Sequence, residues 1–502
     1  KSSSIRPQQQ QQQRMKNEYK SSSTSNRSVT QELQISCHTP ADVLSNAGLK
    51  LLSSLSSSSP SPLEGKEKIN HVMSMSSLIL VRLSKLLISR DNARLHDRHH
   101  NNDGGDDDSV IWDGRNQNKS MNKILQDVCC IFAESITQNA LLVSNGEGEQ
   151  EQQQQQRREE NYWDAPVEGI KAAAVISRIL YSNSNFNANK NDKIDTKTMM
   201  TAKDTFGPLA QSFQHVNAKE LDSHHLSGLR WAYDCLQCTK LQRQEEKEEG
   251  HQQRLGSDGD ENTQYINSII IDDGVFCMPA HLVDAHKELN LPFRIWPGFI
   301  SSSSSNSPHL TVPNIQSEVS FLFDTITTTS TGIAVQERRG TAWQGDDPSQ
   351  IPGFAYSGKI MDTKPFSPLV HHVRTKLEQK TGIQYDCCLL NLYPHGKSGM
   401  RYHIDPDQGT LWDYETAVVS IGSSRRFAFR PIAASMKEEE NENQKQQQQQ
   451  QRVHNFVVMN GDVTEMFGDC QTRFQHAVKT AEGKDIERTP RASLVYKKSF
   501  SK

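Results

Sequence analysis

Along the last quarter of the chain, apolar and polar residues follow each other in short runs: YDCCLLNLY, TAVVSIG, RFAFRPI, HNFVVMNGDV, FQHAV and RASLVYK. These runs are apolar or alternating, and rich in β-branched and aromatic side chains. They predict the strands of an antiparallel sandwich. Just upstream, Leu369–Thr381 places Val370, Val373 and Leu377 at i, i+3 and i+7, which predicts a helix with one apolar face, bounded by Lys364-Pro365 and Pro368. Further back, INSIIIDDGVF (Ile266–Phe276) reads as β-rich, Ala280–Leu289 as helical, and VSFLFDTI as helical. The expectation for 265–502 is one unit, mainly β with flanking helices, interrupted by a disordered poly-Gln insert at Lys437–Arg452.

The first half has a different pattern. Poly-Gln at Gln8–Gln13 and Gln152–Gln156, Ser56–Ser59 and the acidic patch Asp103–Asp108 mark 1–160 as low-complexity and largely disordered. Islands with helical spacing interrupt the polar tracts at Ala41–Leu55, Ser77–Arg90, Asn122–Val143, Gly169–Tyr181 and Leu221–Leu241. Their recurrence is compatible with degenerate helical repeats, and 161–242 is read as a helical segment. Residues 243–264 read as a charged linker. A fragment from about Tyr265 onward is expected to fold and act by itself.

Composition limits what the rest can be. The hydrophobic share of 34% and mean hydropathy of −0.71 leave much of the 502 residues without a core to bury. Over 291–502 there are 24 basic and 22 acidic residues, a balance of +2, so no polybasic footprint marks a nucleic-acid protein. Nine cysteines in adjacent pairs, one Cys235-x-x-Cys238 and singles fit a reduced intracellular chain, in nucleus or cytoplasm. The CxxC has no partner pair nearby and reads as structural rather than zinc-binding. The sequence begins with Lys, which leaves a targeting peptide and an organelle open. Ser77–Arg90 is cut by Arg82, Lys85 and Arg90, so it is expected to form a short amphipathic helix and not a membrane span.

The chemistry concentrates in Asn391–Arg430. His403-Ile-Asp405 puts an imidazole and a carboxylate on the same side of an extended strand, and His476 follows a second hydrophobic run. Two His and one carboxylate form the facial triad of non-haem Fe(II) oxygenases. His-x-Asp alone is weak, since chance supplies about one in a chain of this length. The order of its surroundings is more specific: Asn391-x-Tyr393 before it, Ser420-Ile-Gly-x-x-Arg425-x-Phe427-x-Phe429 after it, then His476, then Pro490-Arg491-x-Ser493-Leu494.

In this order of motifs, over roughly 290–502, the chain resembles the AlkB-type family of 2-oxoglutarate and Fe(II)-dependent nucleic-acid dealkylating dioxygenases. Arg339-Gly-Thr-Ala-Trp343-Gln-Gly345 and Tyr356-Ser-Gly358 are similar to that family's substrate-side segment. The resemblance implies a double-stranded β-helix (jelly-roll) catalytic domain. It implies Fe(II) on His403, Asp405 and His476, O2 as oxidant, and 2-oxoglutarate held through its distal carboxylate by Arg491, with Asn391 and Tyr393 as neutral donors. Where relatives carry a second Arg, Lys497 stands here, expected near the co-substrate's other carboxylate with a point charge in place of a planar fork. Asp407 and Trp343 match substrate contacts, the first at the base edge and the second in the lid, where Gln344 replaces a frequent Tyr. Arg425 could meet phosphate or brace the core.

The implied reaction is oxidative N-demethylation of an alkylated base in DNA or RNA, as in DNA repair, releasing formaldehyde, succinate and CO2. The implied partner is single-stranded nucleic acid, met by a monomer away from membranes. The same oxygenase acting on a protein side chain or small molecule is the alternative, because the near-neutral charge does not demand nucleic acid. An inactive domain on a helical scaffold is a third reading, which the complete triad and Arg491 oppose.

Overall fold

The computed structural model describes residues 39–54, 62–97, 119–144, 162–182, 202–252, 275–300, 309–327, 332, 334–356, 359–432, 452–481 and 489–500. Fifteen strands occur among them: β1 Phe293–Trp296, β2 Thr325–Thr327, β3 Ala334–Gln336, β4 Gly340–Gly345, β5 Phe354–Tyr356, β6 Lys359–Met361, β7 Lys364–Pro365, β8 Cys387–Tyr393, β9 Met400–His403, β10 Trp412–Gly422, β11 Arg425–Pro431, β12 His454–Val458, β13 Val463–Met466, β14 Phe474–Val478 and β15 Arg491–Ser499. The major sheet has the order β1-β13-β10-β15-β8-β4-β7 and the minor sheet β12-β11-β14-β9. All pairs in both are antiparallel except β4 with β7. Two such sheets flanked by helices form the expected jelly roll.

Alternation along the central strands assigns their two faces. Leu390, Leu392, Ala417, Val419, Ile421, Ala492, Leu494 and Tyr496 are buried in one cluster with Leu369, Val370, Val373 and Leu377 of the Pro368–Thr381 helix. The Tyr496 hydroxyl donates to the Val370 carbonyl at 2.7 Å, which pins that helix to the sheet. Pro368 at its first turn and Gly382, left-handed at φ 72°, delimit it as the sequence requires. The intervening positions Asn391, Tyr393, Ser420, Arg491, Ser493 and Lys497 occupy the opposite face, toward the sandwich interior.

The described parts of the helical islands lie in helices except for Leu221 and Asp222, and several of these helices are longer than the apolar pattern shows. Pro62–Asp97, Lys119–Ser144, Asp164–Ser182, Ala202–Gln211 and Ser223–Gln252 form a layer whose apolar cluster runs without a break into the sandwich. Ile79, Phe132, Ile170, Val175 and Trp231 belong to the same cluster as Phe293, Phe429, Phe456 and Val458. Arg178 and Asp462, both buried, meet in a two-pronged ion pair, Nη1 to Oδ2 at 2.8 Å and Nη2 to Oδ1 at 2.6 Å. Ser227 Oγ lies 2.7 Å from His454 Nδ1, and the Ser424 amide donates to Asn92 Oδ1 at 2.8 Å. The Ser223–Gln252 helix packs against β12 and so shields an edge of the minor sheet.

Several local expectations change. Residues 243–252 continue a helix instead of opening a linker, and the expected boundary divides segments that pack on each other. Val275 and Phe276 lie in a turn, while 266–274 fall outside the described residues, as do 437–451 of the poly-Gln insert. VSFLFDTI is not helical. The helix is the preceding Val312–Glu318, started by Thr311, whose hydroxyl accepts from the Asn314 amide, and by Pro313 in its first turn. The segment Lys68–Asn92 is long and apolar enough to span a bilayer, contrary to the sequence expectation, and about half of its most apolar stretch is buried inside the fold.

Candidate metal centre and co-substrate pocket

His403 ends β9 at the open edge of the minor sheet, and His476 sits opposite it on the neighbouring β14. Asp405 follows β9 by two residues, where Gln471 Oε1 accepts from its backbone amide at 2.8 Å. Asp405 Oδ1 is 3.6 Å from His403 Nε2 and 3.5 Å from His476 Nε2, and the two rings are 4.2 Å apart. All three ligand atoms lie within 4.8 Å of one another, the spacing of donors that share one ion. His403 Nδ1 lies 2.9 Å from the Arg401 carbonyl, which fixes the tautomer with its proton on Nδ1 and leaves the Nε2 lone pair directed at the centre.

The electrostatics suit ligation. Burial disfavours a charged Asp405, yet Lys497 and the two imidazoles outweigh it and hold the carboxyl well below its ordinary range. Burial also lowers His476, which keeps the imidazole neutral. Lys497, fully buried, donates to Asp405 Oδ2 at 2.7 Å and approaches Thr416 Oγ1 at 3.5 Å. Expected beside the co-substrate, Lys497 braces the outer oxygen of the carboxylate ligand.

Deeper in the sandwich, Arg491 is completely buried, and burial lowers it to about 10. Its Nη2 donates to Ser420 Oγ at 2.9 Å, while Nε and Nη1 have no hydrogen-bond partner among the described residues. Tyr393, directly across from it in register, has an unpartnered buried hydroxyl, and Asn391 leaves its Oδ1 likewise. A buried cation and neutral groups with unused hydrogen bonds on one face of the sheet form a seat for a carboxylate. Arg491 shares its strand face with Lys497, which contacts Asp405, so the seat and the triad open on one interior.

Other residues fall elsewhere. Arg425 braces the core: its guanidinium donates to the Ser424 and Thr489 carbonyls, and burial together with Arg491 lowers it to about 9. Trp343 does not reach the open side. It is 2% exposed between Phe354 and Trp412, and its indole N–H is satisfied by the Pro352 carbonyl and Thr363 Oγ1, both at 3.1 Å, so it is a packed aromatic. Asp407 is exposed on the turn after Asp405 with a left-handed backbone, φ 60°. Ser420, Thr416 and Gln471 also support the site. Ser420 lies in the Ser420-Ile-Gly motif, whose spacing gives it no role, and nothing in the spacing of Gln471 marks it.

A metal triad at one mouth of a jelly roll, with a buried arginine seat behind it, defines a 2-oxoglutarate-dependent metal oxygenase. Residues 294–496 match the 2OG-Fe(II) oxygenase superfamily. The chain is 33% identical over 181 residues, 36% of its length and 83% of the relative, to "Uncharacterized protein R406" of Acanthamoeba polyphaga mimivirus. It is 29% identical to human "Alpha-ketoglutarate-dependent dioxygenase alkB homolog 3" and 30% identical to bovine "DNA oxidative demethylase ALKBH2", over 20% and 15% of this chain. These matches span about a third of the two homologues, 33% and 28%. The chain belongs to the AlkB-type 2OG-Fe(II) oxygenases, and with that membership come Fe(II), 2-oxoglutarate and O2.

Proposed function

We propose that this dioxygenase oxidatively removes N-alkyl groups from bases of single-stranded DNA or RNA, with release of formaldehyde, succinate and CO2. The observation that carries the reading is the pairing of the His403–Asp405–His476 triad with the buried Arg491 seat, two of whose three guanidinium nitrogens have no hydrogen-bond partner among the described residues. Fe(II), when bound, supplies activation of O2 coupled to decarboxylation of 2-oxoglutarate. The chain's own work is positional. Arg491 neutralises the distal carboxylate, Tyr393 and Asn391 complete its hydrogen bonds, and Lys497 keeps Asp405 ionised and oriented.

The substrate side rests on the named activity of the bovine relative and on the near-neutral charge of the domain. Tyr402, with Arg430 at 4.1 Å and Lys479 at 3.9 Å over its ring, lies on the opposite face of β9 from His403 and takes no part in the site. A weak grip on phosphates favours substrates that need no unpairing. Asp407, exposed beside the mouth, reads the base edge. A monomer in nucleus or cytoplasm, serving repair, fits this chemistry.

Succinate formation by the purified chain tests the proposal, with methylated single-stranded DNA, methylated RNA, duplex DNA and no substrate in parallel. Stimulation by a methylated single strand is expected, with strong loss in Asp407→Ala. Turnover that no nucleic acid stimulates would transfer the substrate to a protein or small molecule.

A further inference from the structure

Some distance along the chain from the iron triad, a second cluster of ligand-type side chains joins the helical layer to the sandwich. Asp164 opens one helix, His224 and His225 lie in the first turn of another, and Arg452 stands two residues before the start of β12. His225 Nε2 is 2.9 Å and His224 Nε2 3.3 Å from the same oxygen, Asp164 Oδ1, and the rings are 4.0 Å apart. The three ligand atoms lie within 4.8 Å of one another, as in the iron triad, and the burial runs in the same way: one histidine is buried and the other two groups are partly open.

Asp222 supplies the second half of the geometry. Its Oδ1 contacts Nδ1 of both rings, at 3.1 Å for His225 and in a shorter contact with His224. A carboxylate behind each imidazole is the arrangement that orients metal-bound histidines and increases their donor strength. In the tautomer with each proton on Nδ1, beside Asp222, both Nε2 lone pairs are free to meet a cation held between them and Asp164 Oδ1. For a tetrahedral ion with ligand bonds of about 2.0–2.1 Å, neighbouring donors stand roughly 3.3 Å apart, close to the separations here.

We propose that Asp164, His224 and His225 form a second divalent-metal site, of the borderline class typified by Zn(II), with Asp222 orienting both imidazoles. Two imidazoles and one carboxylate select Zn(II) over Mg(II) or Ca(II), which favour all-oxygen shells. Arg452 is the chain's own competitor, because its guanidinium holds the same Asp164 oxygen. It is a third exposed and precedes an edge strand, so it can move aside when an ion enters. The ion would tie the two helices together at the place where Ser227 meets His454 of the sandwich, which makes it structural and separate from the dioxygenase chemistry.

The test uses the full chain with the iron triad removed, His403→Ala/His476→Ala, titrated with Zn(II) against a chromophoric chelator. One bound zinc is expected, with an X-ray absorption edge showing two imidazole nitrogens. Adding His225→Ala should abolish that binding, and Asp222→Asn should weaken it about 10–100-fold. Arg452→Ala, which leaves every ligand in place and keeps the test valid should His225→Ala fail to fold, should tighten it. Less than a tenth of an equivalent of zinc in the triad-free chain, unchanged affinity after His225→Ala, or weaker binding in Arg452→Ala would each overturn the proposal.

Discussion

Arg178 and Arg491 are both buried, yet the chain treats them differently. At the helix–sandwich junction, Arg178 receives a carboxylate from Asp462, and that carboxylate also accepts from the amides of Gly298 and Met459, both at 2.7 Å. Within the sandwich, Arg491 has one serine hydroxyl and two unused nitrogens. Burying a cation costs several kcal/mol unless something compensates it. The first arginine is compensated when the chain folds and therefore holds structure together. The second is compensated only when an anion arrives, which is the property of a binding site.

The largest effect expected from breaking this contrast is at the junction. Arg178→Leu leaves Asp462 charged, buried and without its cation, a loss on the order of 3–5 kcal/mol that chemical denaturation should show, with activity falling as the fold does. The same contact sets the fate of a fragment starting near Tyr265: without Arg178, it should unfold at lower denaturant than the full chain. Equal midpoints would mean that the helical layer merely rests on the sandwich.

Arg491→Leu should do the opposite. Apo stability should hold or rise, since an uncompensated cation is removed, while the 2-oxoglutarate requirement rises roughly two to three orders of magnitude. Isothermal titration with 2-oxoglutarate checks this, and a stability loss matching that of Arg178→Leu would erase the distinction between the two arginines.

A pH scan sharpens the junction side. Burial lowers His454 to about 3, from an ordinary 6.5, so between those values the unfolded chain binds the extra proton. Stability from this group is complete above about pH 6.5 and is lost as pH falls toward 3, with a slope of at most ~1.4 kcal/mol per pH unit. His454→Gln should flatten that slope. The smallest effect is expected at Trp343, where Trp343→Phe should cost about 1 kcal/mol of packing and hydrogen bonding while the ratio of stimulated to unstimulated turnover stays constant. A selective loss of stimulated turnover would return Trp343 to the substrate.

The strand pattern and the triad were legible because each depends on short spacings: His403 and Asp405 two apart, and strands alternating with a period of two. Arg491, Asn391 and Tyr393 came from their order along the chain, and register then brought them face to face. What the sequence hid depends on long-range partners. No local pattern shows that Arg178 will meet Asp462, 284 positions later, or that Lys497 will turn to Asp405. The packed role of Trp343 is hidden for the same reason. An aromatic beside a substrate segment looks the same in sequence whether its indole faces a base or Pro352.

The most direct test of the central claim, that the triad and the Arg491 seat form one working oxygenase site, is succinate production by the full chain with Fe(II), 2-oxoglutarate and O2, compared with Asp405→Ala. Turnover by the wild-type chain is predicted, with none above background in the variant, whose circular dichroism should remain that of the wild type. Near-normal turnover in Asp405→Ala, or none in an iron-loaded wild type that binds 2-oxoglutarate, would contradict it.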